Sequence, residues 1–324
     1  MLYKRISSLL LATSLALALA ACGDSTPPAG DLPPSGGDST VDGSTPNPDL
    51  TSDGVAPDGP QDGTPGDTTS DGIAPDISAD GPPLPDTAGA TPTAFRVNTL
   101  SLADPHIYLG CAIDLSSTVD GLISDQITKD GDADNLLDLS LLIVFRPLSQ
   151  GTAMGTVELA QGDCAPPHPP SSCSRTLATQ PALGISTYNN QTTGMCLTRT
   201  HNGVNVSRHN AGETSAPCFV STARSVTLQL AGISIPLRDL QIAGRYTGNP
   251  ATGLDQGLLR GFLSKTAAAQ VLLPATLPLV GGMPLSSILC DSGTNDDTDT
   301  HPTFGAGWWF FINYTASQVT YTEQ

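Results

Sequence analysis

Four aspartates in the segment 130–138 are the residues whose spacing best indicates chemistry. Asp130, Asp132, Asp134 and Asp138 occupy relative positions 1, 3, 5 and 9 of that segment. Alternate residues of a tight loop can point inward, and calcium takes about six to eight hard oxygen ligands. The spacing therefore predicts a calcium site with a structural role, because a bound ion fixes the turn between the elements on either side.

The segment resembles the first part of an EF-hand-type calcium loop, as found in bacterial dockerin-like and extracellular calcium repeats. The resemblance implies that Leu136 donates its backbone carbonyl, that Asn135 takes a left-handed turn and that Leu137 packs inward. Such loops usually carry a bidentate glutamate at position 12, which is Leu141 in this chain. We therefore expect a weakened site, or one completed by a residue elsewhere such as Asp125. An acidic, solvated turn is the alternative interpretation.

A helix and a strand are predicted to position this loop. Apolar residues at 119, 122, 123 and 127 fall on one helical face, which predicts a helix over residues 119–129 that enters the loop. Ser117 or Thr118 precedes this helix as its N-cap. The apolar run 139–147 ends in proline and is consistent with a buried strand that leaves the loop.

The whole of residues 94–324 is predicted to form a mainly β domain. Its many short β-rich runs, broken by Gly, Pro and Asn, are typical of a disulfide-stapled β-sandwich or barrel-like domain with two or three short helices. Further strands are predicted over residues 225–230, 240–246, 308–314 and 319–322. Ser264 would cap a helix over 265–273, and 284–289 would form a short third turn. The aromatic residues near the C-terminus are expected to pack in the core.

Six cysteines lie in this domain, and an even number in an exported chain favours three disulfides. Sequence alone leaves about fifteen connectivities open. The preferred set pairs neighbours and then ties the early to the late part of the domain: Cys164 with Cys173, Cys196 with Cys218, and Cys111 with Cys290. A zinc site is the alternative, but no Cys-x-x-Cys spacing occurs in the chain.

Other ionisable residues are scattered. Asp296, Asp297 and Asp299 stand close to His301 in a polar stretch. They could hold a cation, but a solvated loop is the favoured interpretation. Two histidines, at positions 201 and 209, flank another polar stretch and could meet in space, although surface or core positions are commoner.

The first 22 residues have the parts of an export signal. Lys4 and Arg5 are their only charged residues, and residues 6–21 contain only apolar residues, Ser and Thr. This run is shorter than the roughly 20 residues that a membrane-spanning helix needs. The sequence Leu-Ala-Ala-Cys at 19–22 then resembles the lipobox of bacterial lipoproteins.

This resemblance implies that residues 1–21 are a signal peptide and that Cys22 becomes the first residue, carrying a diacylglycerol and an acyl chain such as palmitate. Two or more acyl chains anchor a protein stably to a membrane, whereas one holds weakly. In the best-known sorting rule, an aspartate directly after this cysteine retains a lipoprotein in the inner membrane. Gly23 stands there, so the resemblance favours the outer membrane, on its periplasmic face or at the cell surface. A cleaved signal with a chance cysteine is the alternative.

Residues 22–93 comprise the lipidated cysteine and a segment with the composition of a disordered tether. Residues 23–93 hold 13 Asp, 12 Gly, 14 Pro and 17 Ser or Thr, with no Lys, Arg, Glu or aromatic residue. Such a segment cannot bury enough apolar surface to offset the entropy of ordering. A flexible coil of this length spans on the order of 50 Å, which lifts a domain clear of the lipid headgroups. A calcium-binding Asp/Gly repeat is the alternative.

Charge and motifs narrow the function. The net charge is −18, and because no basic residues are clustered, no nucleic-acid partner is expected. The chain lacks the G-x-S-x-G, H-E-x-x-H, Walker and G-x-G-x-x-G motifs. We therefore expect a non-catalytic cell-envelope lipoprotein, held to a membrane by its lipid, whose β domain binds an unknown surface ligand or envelope partner. The alternative is a tethered extracytoplasmic hydrolase acting on surface polymers, which a cleft with convergent carboxylates would favour.

Overall fold

The computed structural model describes residues 90–151, 155–230, 232–277 and 279–324. The predicted signal peptide, Cys22 and the tether as far as residue 89 lie outside the described residues. Within the described ranges, no helix combines the length and the apolar character that a membrane crossing requires.

Eight antiparallel strands form one closed sheet, in which each strand pairs with the next and the last pairs with the first. In spatial order they are β1 (Thr93–Asp104), β4 (Leu141–Arg146), β5 (Gly155–Gln161), β8 (Ala182–Gln191), β13 (Cys218–Ser221), β15 (Ile233–Thr247), β16 (Gly253–Ser264) and β18 (Gly305–Glu323). The mainly β fold class is thereby confirmed, and the closed sheet corresponds to its barrel-like form.

Shorter elements fill the connections between these strands. The remaining strands are β2 (Tyr108–Leu109), β3 (Ile113–Asp114), β6 (Asp163–Cys164), β7 (Ser172–Arg175), β9 (Met195–Leu197), β10 (Thr200–His201), β11 (Val204–Asn205), β12 (Thr214–Ser215), β14 (Arg224–Leu230) and β17 (Asp299–His301). The helices are α1 (Ser116–Thr128) and α2 (Lys265–Gln270), with 3₁₀ turns at Leu285–Ser287 and Gly293–Asn295. Of these strands, β14 pairs with β15, β17 pairs with the start of β18, and β7 runs parallel to its end.

Aromatic side chains pack on both faces of β18, as predicted for this segment. Trp308 and Phe310 belong to the larger core cluster, to which all eight strands of the closed sheet contribute. The alternate residues Trp309 and Phe311 pack in a second cluster with Phe262. Because neighbouring residues of a strand point to opposite faces, burial of both sets shows that β18 is covered on both faces of the closed sheet.

Helix α1 forms where the apolar periodicity predicts it, but its start was predicted wrongly. The helix begins at Ser116, so Ser117 and Thr118 lie inside it, and the N-cap residue Leu115 makes no side-chain cap. The reason is an acceptor further upstream, since the Asp114 carboxylate accepts a hydrogen bond from the Ser116 N–H at 2.8 Å. An acidic group at this end also suits the helix dipole.

Two further differences concern element ends. Residues 319–322 do not form a separate strand, because β18 continues to Glu323. Val319 is its last residue paired with β1, opposite Ala94, and the residues after it pair with β7. Ser264 does cap α2, since its hydroxyl accepts a hydrogen bond from the Ala267 N–H at 3.2 Å. This helix is shorter than predicted and ends at Gln270, because Val271 takes an extended conformation.

Three disulfides join the cysteines in the preferred pairing. Cys111–Cys290 closes a sequence separation of 179 residues and ties the loop between β2 and β3 to the late part of the domain. Cys164–Cys173 joins the paired strands β6 and β7, and Cys196–Cys218 joins β9 to β13. Cys196–Cys218 therefore fastens a connection to the closed sheet, and the other two disulfides tie connecting segments to each other.

Candidate functional site

The predicted calcium loop lies between the end of α1 and the start of β4. Asp130, Asp132 and Asp138 each offer a carboxylate oxygen within 4.8 Å of the other two. The left-handed backbone of Ala133 (φ 57°) and Asn135 (φ 67°) makes the loop tight enough to group them. Three carboxylate oxygens so close together suit a hard cation such as calcium.

One predicted aspartate ligand, Asp134, lies outside this group. Asp134 is exposed, and its carboxylate accepts a hydrogen bond from the Leu136 N–H at 2.9 Å. Asp125, the suggested supplementary ligand, pairs with Lys129 at 2.7 Å on the surface of α1. Leu141, at the position of the usual glutamate, is buried in β4. The structure therefore groups three of the four predicted aspartates.

Contacts within the protein already hold this loop in shape. The Asp130 carboxylate accepts two backbone N–H groups of the loop, at 2.9 and 3.1 Å. Arg96 clamps the two ends, since its guanidinium donates to the carbonyl oxygens of Ile127 at 2.5 Å and Leu139 at 2.8 Å. Burial lowers the pKa of Arg96 to about 10, which leaves the guanidinium charged at neutral pH. A calcium ion would add to this clamp rather than replace it.

A second group of ionisable side chains forms beside the end of β1. Asp104 is the last residue of β1, His209 lies between β11 and β12, and Asp297 precedes β17. Each offers a ligand atom within 4.8 Å of the other two. Asp104 and Asp297 are only 2% and 9% exposed, and His209 is half-buried. We call these three residues the Asp104 cluster.

The two carboxylates of the Asp104 cluster are short of donors. Oδ2 of Asp104 accepts the Arg208 N–H at 2.7 Å, but no donor among the described residues reaches its Oδ1. Oδ2 of Asp297 also has no hydrogen-bond donor there, and it lies 3.5 Å from Nε2 of His209. Burial, and next the Asp297 carboxyl, raise the pKa of Asp104 to about 8. A proton or a cation is therefore needed to neutralise the pair near neutral pH.

A stack of two histidines fixes the ring of His209. The His106 ring lies parallel to it, at a centroid distance of 3.5 Å and an interplanar angle of 10°. Nδ1 of His106 lies 3.0 Å from the Asp114 carboxylate. Burial, and next the charge of His106, lower the pKa of His209, which favours its neutral form. Neutral imidazole can accept a proton or bind a metal ion.

A polar cleft of about 340 Å³ opens beside the Asp104 cluster, and Asp297 lines it together with Ser207, Asn210 and Asp299. Burial, and next the carboxylates of Asp297 and Asp296, raise the pKa of Asp299 to about 6. Arg208 also lines the cleft, which thus presents hydroxyl, amide and carboxylate groups beside an arginine, a composition that suits a polar ligand.

The sequence-based interpretation of the other ionisable residues needs correction. Residues 296–299 do not form a fully solvated loop, because Asp297 is buried. His301 is buried away from this group and pairs with Asp239 at 2.9 Å. His201 lies beside His301, whereas His209 stacks on another histidine, so the two have separate partners. Sequence reasoning missed Asp104 because no local pattern distinguishes it from an ordinary residue at a strand end.

The chain matches no protein-family model, and comparisons with curated proteins and with solved structures find no significant match. Functional arguments therefore rest on the residues of this chain. Of its predicted site residues, the six cysteines are paired, three loop aspartates are grouped, and Cys22 lies outside the described residues.

Proposed function

We propose that this chain is a lipid-anchored protein of the cell envelope that presents its β domain on a long flexible tether. The observation that carries the proposal is the sequence Leu-Ala-Ala-Cys at 19–22, directly after a basic and apolar leader. The composition of residues 23–93 supports the tether. Three disulfides support export, because disulfides persist in oxidising compartments. The domain binds a surface ligand or an envelope partner and performs no catalysis.

Metabolic labelling with a fatty-acid analogue tests the anchor. The wild-type chain should take up the label and fractionate with membranes, and Cys22→Ser should lose both properties. Gly23→Asp is the matched control, because it keeps the lipid and should move the chain from the outer to the inner membrane where the common sorting rule applies. A Cys22→Ser chain that is still labelled contradicts the proposal.

Protease treatment of intact cells tests which way the domain faces. Loss of the domain from intact cells, with a periplasmic marker protein preserved, places it at the cell surface, where a long tether is most useful. Full protection until the outer membrane is permeabilised places it in the periplasm instead. Because the tether is rich in Pro and Gly and predicted to be disordered, a protease of broad specificity should cut there first.

Within this proposal, calcium binds the loop 130–138 as a structural ion. The three grouped carboxylates of the loop support it. Calcium should raise the melting temperature of the purified chain, because an ion that binds only the folded state stabilises it by mass action. Asp132→Asn should reduce this rise, whereas Asp125→Asn, which removes an acidic charge outside the group, should leave it unchanged. No rise up to roughly millimolar calcium contradicts this part of the proposal.

A tethered hydrolase acting on surface polymers is the second candidate function, and the Asp104 cluster is the observation that favours it. A buried carboxyl group with a raised pKa, close to a histidine and a polar cleft, is an arrangement used in general acid–base catalysis. Purified chain should then release fragments from cell-wall or capsular material, and Asp297→Asn should lose that activity. Wild-type chain that releases nothing from either material argues against catalysis.

A further inference from the structure

The residues of the Asp104 cluster are held in place from three separate parts of the chain. Asp104 belongs to β1 and so to the closed sheet. The Arg208 guanidinium, beside His209 in sequence, donates to two carbonyl oxygens in the segment 294–296. The N–H of Asp297 donates at 3.2 Å to the backbone carbonyl of a disulfide-bonded cysteine. The three side chains are therefore positioned before any ligand arrives.

What the Asp104 cluster lacks is a positive partner for its carboxylates. In the part of the chain that the structure describes, no donor reaches Oδ1 of Asp104 or Oδ2 of Asp297. No lysine or arginine in that part forms an ion pair with either carboxylate, and the imidazole of His209 lies 3.5 Å from Asp297. Buried carboxylates are unfavourable unless they are paired or coordinate a metal ion. The pair therefore needs either a shared proton or a bound cation, and the open oxygens and the nearby imidazole make room for a cation.

We propose that Asp104, His209 and Asp297 bind a divalent transition-metal ion of the zinc class. Imidazole nitrogen suits zinc and its neighbours, whereas calcium and magnesium prefer oxygen ligands alone. The 3.5 Å between Nε2 of His209 and Oδ2 of Asp297 is close to the roughly 3.4 Å edge of a tetrahedron whose bonds measure about 2.1 Å.

Three protein ligands leave one tetrahedral position for a further ligand. Asp297 also lines the polar cleft, so an ion held by this residue is reached from the cleft by water or by a polar group of a bound molecule. The stack of His106 on His209 fixes the plane of the imidazole ligand, as outer-shell contacts commonly do at metal sites. This inference is independent of the lipid anchor and of the calcium loop, whose ligands are all oxygens.

Metal titrations of the full chain, purified after export and stripped with a chelator, test the site. We expect calorimetry to show one zinc ion bound per chain, and cobalt to give the visible absorption of a four-coordinate site. Asp104→Asn and His209→Gln should each weaken zinc binding by more than about 100-fold, beyond the 10–100-fold typical of changes outside the ligand shell.

Asp239→Asn is the matched control, because Asp239 also pairs with a buried histidine, His301, at 2.9 Å. This variant should bind zinc as the wild type does. Melting curves establish that each variant is folded. Asp104→Asn keeps the side-chain shape and removes a buried charge, so it supplies the test even where His209→Gln does not fold. Folded wild-type chain that binds no zinc, or unchanged zinc binding by folded Asp104→Asn chain, overturns the proposal. Displacement of zinc by millimolar calcium overturns the assigned class of ion.

Discussion

Glu158→Gln should destabilise the domain strongly, because Glu158 is the centre of a buried ion network. Its carboxylate accepts hydrogen bonds from Nε of Arg146 at 2.6 Å and from Nη1 of Arg175 at 2.8 Å. Arg146 also pairs with Glu323, so the network joins β4, β5, β7 and β18. The side chains of Glu158 and Arg175 are only 9% and 3% exposed. Glutamine keeps the shape and removes the charge that these two guanidinium groups share.

The expected cost follows from burial. Removing one partner of a buried ion pair costs about 3–5 kcal/mol. Glu323 remains 3.9 Å from Arg175 and retains part of the negative charge, so we expect about 3 kcal/mol. Burial alone lowers the pKa of Arg175, but hydrogen bonds to Glu158 and Tyr321 outweigh burial and raise it, which indicates that the charged pair is favourable. In a domain of this size, a loss of about 3 kcal/mol lowers the melting temperature by roughly 6–12 °C.

Asp255→Asn is the matched control for this experiment. Asp255 forms two hydrogen bonds with the Arg245 guanidinium, both at 2.7 Å, but the two side chains are 40% and 35% exposed. The same change of charge should there cost about 1 kcal/mol or less. Urea unfolding and calorimetric melting of the two variants measure the difference. Equal losses, within about 0.5 kcal/mol, would refute the argument that burial sets the cost.

Three further predictions concern charge, cross-links and the loop clamp. The paired guanidinium lowers the pKa of Asp255. The stability from this pair is therefore complete above the ordinary aspartate pKa of 3.8 and is lost as the pH falls below it. The unfolding free energies of wild type and Asp255→Asn, measured in urea, should converge in acid. Replacing both cysteines of Cys111–Cys290 by serine should lower the free energy of unfolding by about 5 kcal/mol, and replacing those of Cys164–Cys173 by about 3 kcal/mol. The difference follows from the sequence separations of 179 and 9 residues. Chemical denaturation measures both losses. Arg96→Lys should cost about 1–3 kcal/mol and speed hydrogen exchange in the loop 130–138, because an ammonium group lacks the fork that reaches two carbonyl oxygens.

Contacts between residues close in sequence were predictable. The apolar spacing of α1, the apolar run of β4 and four aspartates within nine residues define the loop between them. The disulfides Cys164–Cys173 and Cys196–Cys218 also join cysteines that are near one another along the chain. In each case the information lies within about 20 residues, so periodicity and spacing are sufficient.

The strand pairings that close the sheet and the Asp104 cluster were not predictable, because they depend on contacts between distant residues. Closure requires β1 to pair with β18, where Asn98 donates to the Ser317 hydroxyl across a separation of 219 residues. Asp104, His209 and Asp297 come from three such distant segments. The sequence around an aspartate does not show whether it lies in a solvated loop or in a buried cluster, because that depends on the tertiary fold.

The Cys111–Cys290 disulfide explains how the fold tolerates two buried carboxylates that repel each other. The side-chain amide of Asn295 donates to the Cys111 carbonyl at 3.0 Å, and the N–H of Asp297 donates to the Cys290 carbonyl at 3.2 Å. The disulfide therefore anchors the segment that carries Asp297 beside the segment that follows Asp104. When both carboxylates are ionised they repel each other, and the covalent tie keeps the two segments together. The cross-link predicted as a tie between the early and late parts of the domain thus also keeps the Asp104 cluster assembled and ready to bind a cation.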